Sequence, residues 1–167
     1  MPTTPKTPSP SLLEIRRSPI AGLGGFATQP IRKGTRIIEY VGERISHAEA
    51  DRRYDDSVSP HPHVVLFTVN NRTVIDAGVN GNEARFINHS CEPNCDPVIE
   101  KGHVYIEAIK NIAAGEELTY DYNLTREGDD LESEERFACH CGAKRCRGTQ
   151  LEPLARSKRK RARKSRT

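Results

Sequence analysis

"RFINHSCEPNC", residues 85–95, sets Asn88, His89, Ser90, Cys91 and Cys95 within one short stretch. Such side chains can ligate a metal, attack a substrate or hold a cofactor, and the stretch alone does not choose among these. The other cysteines narrow the choice. "CHCGAKRC" places Cys139, Cys141 and Cys146 in a C-x-C-x4-C pattern. The amino-terminal "MPTTPKTPSPS" lacks the apolar centre of a secretory signal, so an intracellular protein with reduced thiols is expected, and the spacing reads as metal ligation rather than disulfides. Three thiolates so close favour a soft tetrahedral ion, and Zn²⁺ takes four. The fourth is Cys91 or Cys95, and either choice pins the carboxy-terminal segment against the "NHSC" loop. Four thiolates leave no open position for water, so such an ion is structural. The rival reading makes Cys91 a nucleophile with His89 as its base, since residues two apart on an extended segment share a face. The sequence proposes no oxyanion hole or orienting group to complete it.

At 167 residues the chain has room for one ordinary domain. No apolar run approaches the roughly 18 residues of a membrane span, so no membrane partner is expected. The net charge of +3 hides an asymmetry: "RSKRKRARKSRT", residues 156–167, carries eight Lys and Arg and no acid. Setting those and Lys6 aside, 17 of the 26 basic residues remain against 23 acidic ones, so residues 7–155 carry −6. An acidic body suits a cationic substrate, and a basic tail suits an anionic polymer such as nucleic acid. The plainer alternative is that both are merely solvated.

Short β-like segments dominate between the ends. "SLLEIRR" and "TRIIEYVGE" read as strands, "HVVLFTVNNRTVIDA" as two strands around an Asn-Asn turn, "DPVIEKGHVYIEAI" as a hairpin across Glu100, Lys101 and Gly102, and "EELTYDYN" as a last strand. "SHAEADRRYDD" has a capping-box start, with Ser46 followed by Glu49, and predicts a helix; "GNEARFIN" predicts a short helical turn. The fold class is mainly β, with few short helices.

"SPIAGLGGFAT", "EYVGE", "RFINHSCEPNC" and "GEELTYDYN" follow one another in that order, with the Cys-rich segment behind. Together they resemble the SET-domain protein lysine methyltransferases with the post-SET zinc motif, over about residues 11–152. "RFINHSC" and "ELTYDY" are that family's signatures, and both are intact. No pre-SET cysteine cluster or reader module is visible, which looks like the compact form found in bacteria. The resemblance implies a SET fold of small sheets with a pseudoknot that makes "NHS" and "TYDY" neighbours. It also implies S-adenosylmethionine as cofactor and a protein lysine as acceptor. The expected organisation is a disordered arm (1–10), the SET domain (11–124), a linker with the post-SET zinc segment (125–152) and a disordered basic tail (153–167).

By the same resemblance, Asn88 and His89 hold the cofactor. Gly24, in "GLGG", lets the backbone approach the cofactor's methionine part, with Ala21 and Leu23 at positions that touch it. The family often carries larger or polar side chains at those two positions, so backbone contacts are expected here. Val65 falls where many relatives carry a Tyr near the cofactor or lysine channel, so one aromatic hydroxyl is expected to be missing. The backbone of His140 reaches the adenine, and Leu151 covers the ring's other face. Tyr122 is the expected catalytic hydroxyl, and Tyr40 lines the same pocket. Tyr120 stands at the family's Tyr/Phe switch, where a hydroxyl holds a water and crowds the amine, so mono- or dimethylation is expected. Cys91 then completes the zinc site with Cys139, Cys141 and Cys146, and Cys95 is the spare thiol.

The expected function is methylation of lysine in a basic protein such as a histone or a histone-like protein, in the nucleoid if the source is bacterial or on chromatin in the nucleus if eukaryotic. The alternative is a zinc-containing nucleic-acid or chromatin-binding module with a weak or inactive site. No aromatic residue interleaves the basic tail for base stacking.

Overall fold

The structure, a computed structural model, describes residues 10–54, 65–126 and 131–154. Residues 1–9 of the expected arm and 155–167 of the expected basic tail fall outside these residues, as do His63 and Val64 at the start of one expected strand. The described chain folds into small sheets with few short helices, as the sequence predicts. No helix among the described residues is long and apolar enough to cross a membrane.

Strand β1 (Leu13–Arg17) alternates, with Leu13 buried and Glu14 exposed, and pairs antiparallel with β2 (Leu23–Ala27). The "GLGG" stretch does not announce β2, because glycine weakens a strand. Here the missing side chains make room: a Cβ on Gly24 would overlap the Glu117 carboxylate. A three-stranded sheet has the order β3 (Arg36–Tyr40), β9 (His103–Ala108), β8 (Cys95–Glu100). The predicted hairpin joins β8 to β9, and its turn holds positive φ at Lys101 (50°) and Gly102 (80°). Two such residues in succession match the twist of the flanking strands.

The expected strand "TRIIEYVGE" is two strands. It breaks after Tyr40, and β4 (Glu43–Ile45) joins a different sheet, β4–β6–β5, with β5 (Leu66–Thr68) and β6 (Val74–Asp76). Asn70 holds the predicted turn between β5 and β6, its Oδ1 accepting the N–H groups of Arg72 (2.9 Å) and Thr73 (3.0 Å). Helix α1 (His47–Arg53) starts where predicted, with the Ser46 hydroxyl accepting the Glu49 N–H at 3.2 Å. The box does not close, because the Glu49 carboxylate is taken by Arg52 and Arg53. Those guanidiniums hold Glu49 down at about 2.

A 3-10 turn (Glu83–Phe86) leads into β7 (Asn88–His89), which runs parallel to β10 (Thr119–Tyr120), with Asn88 opposite Thr119 and His89 opposite Tyr120. "NHS" and "TYDY" are therefore neighbours, as the resemblance implies. A helix absent from the sequence reading, α2 (Leu131–Arg136), falls in the expected linker, where Leu, Glu and Arg are good helix formers.

Burial concentrates on both sides of this junction. One cluster gathers Leu13, Ile87, Cys95, Ile106 and Leu118; a second gathers Tyr40, Val69, Ile75, Ala77 and Val104. Ile38 and Phe67 pack against both. Truncating Ile106, fully buried on the central strand β9, is expected to cost about 2–5 kcal/mol.

Candidate functional site

The β7–β10 pairing puts Asn88 and His89 beside Tyr120 and Tyr122. The Asn88 amide nitrogen donates to the carbonyls of Leu23 (3.0 Å) and Ala21 (3.2 Å) and to Glu117 Oε1 (2.9 Å). The same Oε1 accepts the Ser18 hydroxyl at 2.7 Å. The nitrogen is therefore committed, and among the described residues nothing donates to the Asn88 Oδ1. That oxygen is left as an acceptor for a ligand.

His89 is buried. Its Nδ1 accepts the Tyr122 N–H at 3.0 Å, so the proton sits on Nε2, which donates to Cys91 Sγ at 3.4 Å. Burial pushes the imidazole down to about 4, so it stays neutral. The nearby Asp121 carboxylate is instead clamped by Arg147 through two bonds of 2.6 and 2.9 Å.

A cavity of about 80 Å³ opens here. Of the residues expected at the cofactor, Ala21, Asn88, His89 and His140 line it, together with Tyr122. Leu23 contributes its carbonyl to Asn88 while its side chain is exposed. Gly24 gives way to Glu117, as above. Leu151 is buried beside the cavity, bridged to Leu124, and its neighbour Gln150 is the lining residue. Val65 is not brought to this cavity: it packs against the second core cluster, and its carbonyl accepts the Tyr40 hydroxyl at 2.9 Å.

Tyr122 also lines a second, larger groove of about 350 Å³, walled by Leu66, Phe67, Thr68, Asp96 and Tyr120. Aromatic rings run from Tyr40, which lines neither space and is buried in the second core cluster, to Phe67 (5.4 Å between centroids), Tyr120 (6.5 Å), Tyr122 (4.9 Å) and His89 (5.3 Å). Burial pushes the hydroxyls of Tyr40, Tyr120 and Tyr122 up from their ordinary value. All three stay protonated, and Tyr122 donates to the Ile87 carbonyl at 2.8 Å. The sheet order leaves β5 at an edge, so one side of Leu66–Thr68 faces the groove without a partner strand among the described residues.

The sulfurs of Cys91, Cys139, Cys141 and Cys146 lie within 4.8 Å of one another. Four Zn–S bonds of about 2.3 Å at tetrahedral angles require sulfurs about 3.8 Å apart, and Cys91 and Cys139 stand at 3.8 Å. Backbone N–H groups already point at the sulfurs: Arg147 to Cys91 (3.3 Å), Gly148 to Cys146 (3.4 Å) and Cys91 to Cys141 (3.5 Å). Burial raises the Cys141 thiol, but the N–H groups of Cys91 and Ala143 and the neighbouring thiols outweigh it and hold it at about 6. Such a donor set fits a metal that binds thiolate. Cys95 points the other way, into the core, and burial raises its thiol to about 12.

Sequence reasoning missed Ser18, Glu117, Asp121 and Arg147. The acids lay inside the quoted "GEELTYDYN" motif and Arg147 directly after Cys146, but nothing local signals partners so distant in the chain.

The fold and site define a mainly-β domain in which an Asn-His pair, a shared tyrosine wall and a four-cysteine cluster meet at one parallel strand pairing. The chain belongs to the SET-domain family, which matches residues 22–123. It is 47% identical over 139 residues to the histone-lysine N-methyltransferase, H3 lysine-4 specific, of Eremothecium gossypii, a match covering 79% of this chain and 14% of that protein. It is 42% identical over 137 residues to the histone-lysine N-methyltransferase trithorax of Drosophila virilis, covering 80% of this chain and 3% of that one. With human histone-lysine N-methyltransferase 2D the identity is 39% over 137 residues, covering 80% and 2%. The chain thus spans only a small part of the length of these relatives.

Proposed function

We propose that the chain is a protein-lysine N-methyltransferase that takes S-adenosylmethionine in the small cavity and a substrate lysine through the larger groove. The observation that carries this is Tyr122, which lines both spaces at once. When bound, the cofactor supplies a sulfonium methyl group. The free Asn88 Oδ1 would accept from the cofactor's ammonium, and the Ala21 and His140 stretches would flank it.

Lysine is almost wholly protonated at neutral pH, its ordinary pKa being about 10.4. The rings of buried Tyr120 and half-buried Phe67 and Tyr122 favour the neutral amine over the charged one. Tyr122, held in place by the Ile87 carbonyl, orients that amine towards the small cavity. Tyr120 crowds it, which limits the product to mono- or dimethyl-lysine. The four thiolates would hold a structural Zn²⁺ that keeps the His140 stretch over the cavity. Val65 is best read as a core residue whose carbonyl positions Tyr40.

The edge of β5 suits an extended peptide added as a strand. The acidic body and the relatives' names together favour the basic tail of a histone as that peptide, with chromatin as the place of action. The test is transfer of labelled methyl from S-adenosylmethionine to core histones, read by mass spectrometry. Tyr122→Phe, which keeps the ring, should lower transfer by about 10²–10³-fold. Undiminished transfer by that variant would remove Tyr122 from the chemistry.

A further inference from the structure

The larger groove carries a charge without a counter-charge. Asp121 on its wall is neutralised by Arg147, but among the described residues no cation pairs with Asp96. The open edge of β5 lies on the same groove. An occupant should therefore be extended and basic.

Such a segment leaves the domain close by. Leu124, which lines the groove, is bridged to Leu151, and its carbonyl accepts the Glu152 N–H at 2.8 Å. The chain then passes Leu154 and continues into "RSKRKRARKSRT", where Lys158, Lys160 and Lys164 follow at four, six and ten residues. Extended chain spans about 3.5 Å per residue, so those lysines reach about 14, 21 and 35 Å from Leu154. A covalent tether of this length holds its end at an effective concentration of about millimolar, far above that of a free partner.

We infer that residues 155–167 are a substrate of their own domain: the tail lies along β5, and Lys158, Lys160 or Lys164 is methylated within the same molecule. This rests on the lysine methyltransferase reading above. In the step, the neutral lysine Nζ forms a bond to the methyl carbon while the carbon–sulfur bond of the donor breaks. The electron pair stays on sulfur, leaving a neutral thioether, and a proton leaves Nζ for solvent.

The full chain with labelled S-adenosylmethionine, alone and with a histone H3 amino-terminal peptide, tests this. The expected result is methyl groups on the tail lysines in a fraction per unit time that does not change with protein concentration. The combined variant Lys158→Arg, Lys160→Arg, Lys164→Arg should lose the self-label and still methylate the peptide. A labelled peptide beside an unlabelled tail overturns the inference and leaves the methyltransferase reading standing. A self-labelling rate that rises with protein concentration overturns the same-molecule step. No label on either acceptor sinks the methyltransferase reading and the inference with it. A readout without methyl donor stands apart from activity: the Leu66 and Thr68 amides should exchange more slowly in the native full chain than in one whose eight tail Lys and Arg are Ser. Equal exchange rates would remove the tail from the groove.

Discussion

The two halves of the site are held by different forces. The β7–β10 half is built by main chain and burial: the strands pair directly, the Ser90 N–H donates to the Tyr120 carbonyl at 3.1 Å, and Ile87, Leu118 and Tyr120 are buried around them. The carboxy-terminal half has little apolar core. Cys139, Thr149 and Leu151 are its buried residues from 137 to 151, and the segment is attached through the four-cysteine cluster, the Arg147–Asp121 clamp, the Arg145–Glu92 pair and the Leu124–Leu151 bridge. One wall of the small cavity is therefore as stable as the domain. The other is only as stable as whatever the four sulfurs hold.

Metal removal should expose that asymmetry most sharply. Structural Zn²⁺ binds thiolate sites with roughly 10 kcal/mol or more, so if the four cysteines hold Zn²⁺ as proposed, a strong chelator removes a principal attachment of residues 139–151. Their amides should lose protection in hydrogen exchange while those of β8 and β9 keep it, and cofactor binding should fall with the lost wall. Unchanged cofactor affinity after chelation would mean that the carboxy-terminal half is no part of the cofactor site.

The two cysteines of the opening motif sharpen the same contrast. Cys91→Ser should abolish metal binding, read as metal content per chain, whereas Cys95→Ala should keep it. The latter should instead lower stability by about 1 kcal/mol, because Cys95 is fully buried among Leu13, Ile106 and Leu118. The reverse result would exchange their roles.

Asp121→Asn is expected to act more mildly, since it weakens the clamp without touching a sulfur. Arg147 is mostly buried, and its own N–H supports Cys91, so loosening it should lower metal affinity by about 10-fold in chelator competition. No change would mean that the thiolates carry the segment alone.

What could be read from the sequence divides along the same line. The Lys101 and Gly102 turn, the Ser46 cap and the Asn70 turn are local chemistry and were readable. The choice of Cys91 over Cys95 was not readable from spacing, because it depends on β8 turning Cys95 into the core. Strand β2 was hidden because its glycines are there for Glu117, far along the chain. Glu117 and Arg147 act through partners that are sequence-distant, and no local pattern encodes such pairs. Val65 illustrates a related limit: spacing located it just before β5 but could not say that its side chain packs against the second core cluster.

The smallest effect tests how Asn88 is aimed. Glu117 uses a single oxygen, Oε1, for both Asn88 and Ser18. Glu117→Gln can therefore keep both bonds through its amide oxygen and lose only the charge. A neutral hydrogen bond is weaker than a charge-assisted one by about 1 kcal/mol, so cofactor affinity should fall only about 5-fold by calorimetry. Glu117→Ala removes the acceptor and frees the Asn88 amide to turn, and should weaken cofactor binding further without altering metal content. If Gln proved as damaging as Ala, the carboxylate would act through its charge on the cofactor, and its role in orienting Asn88 would be secondary.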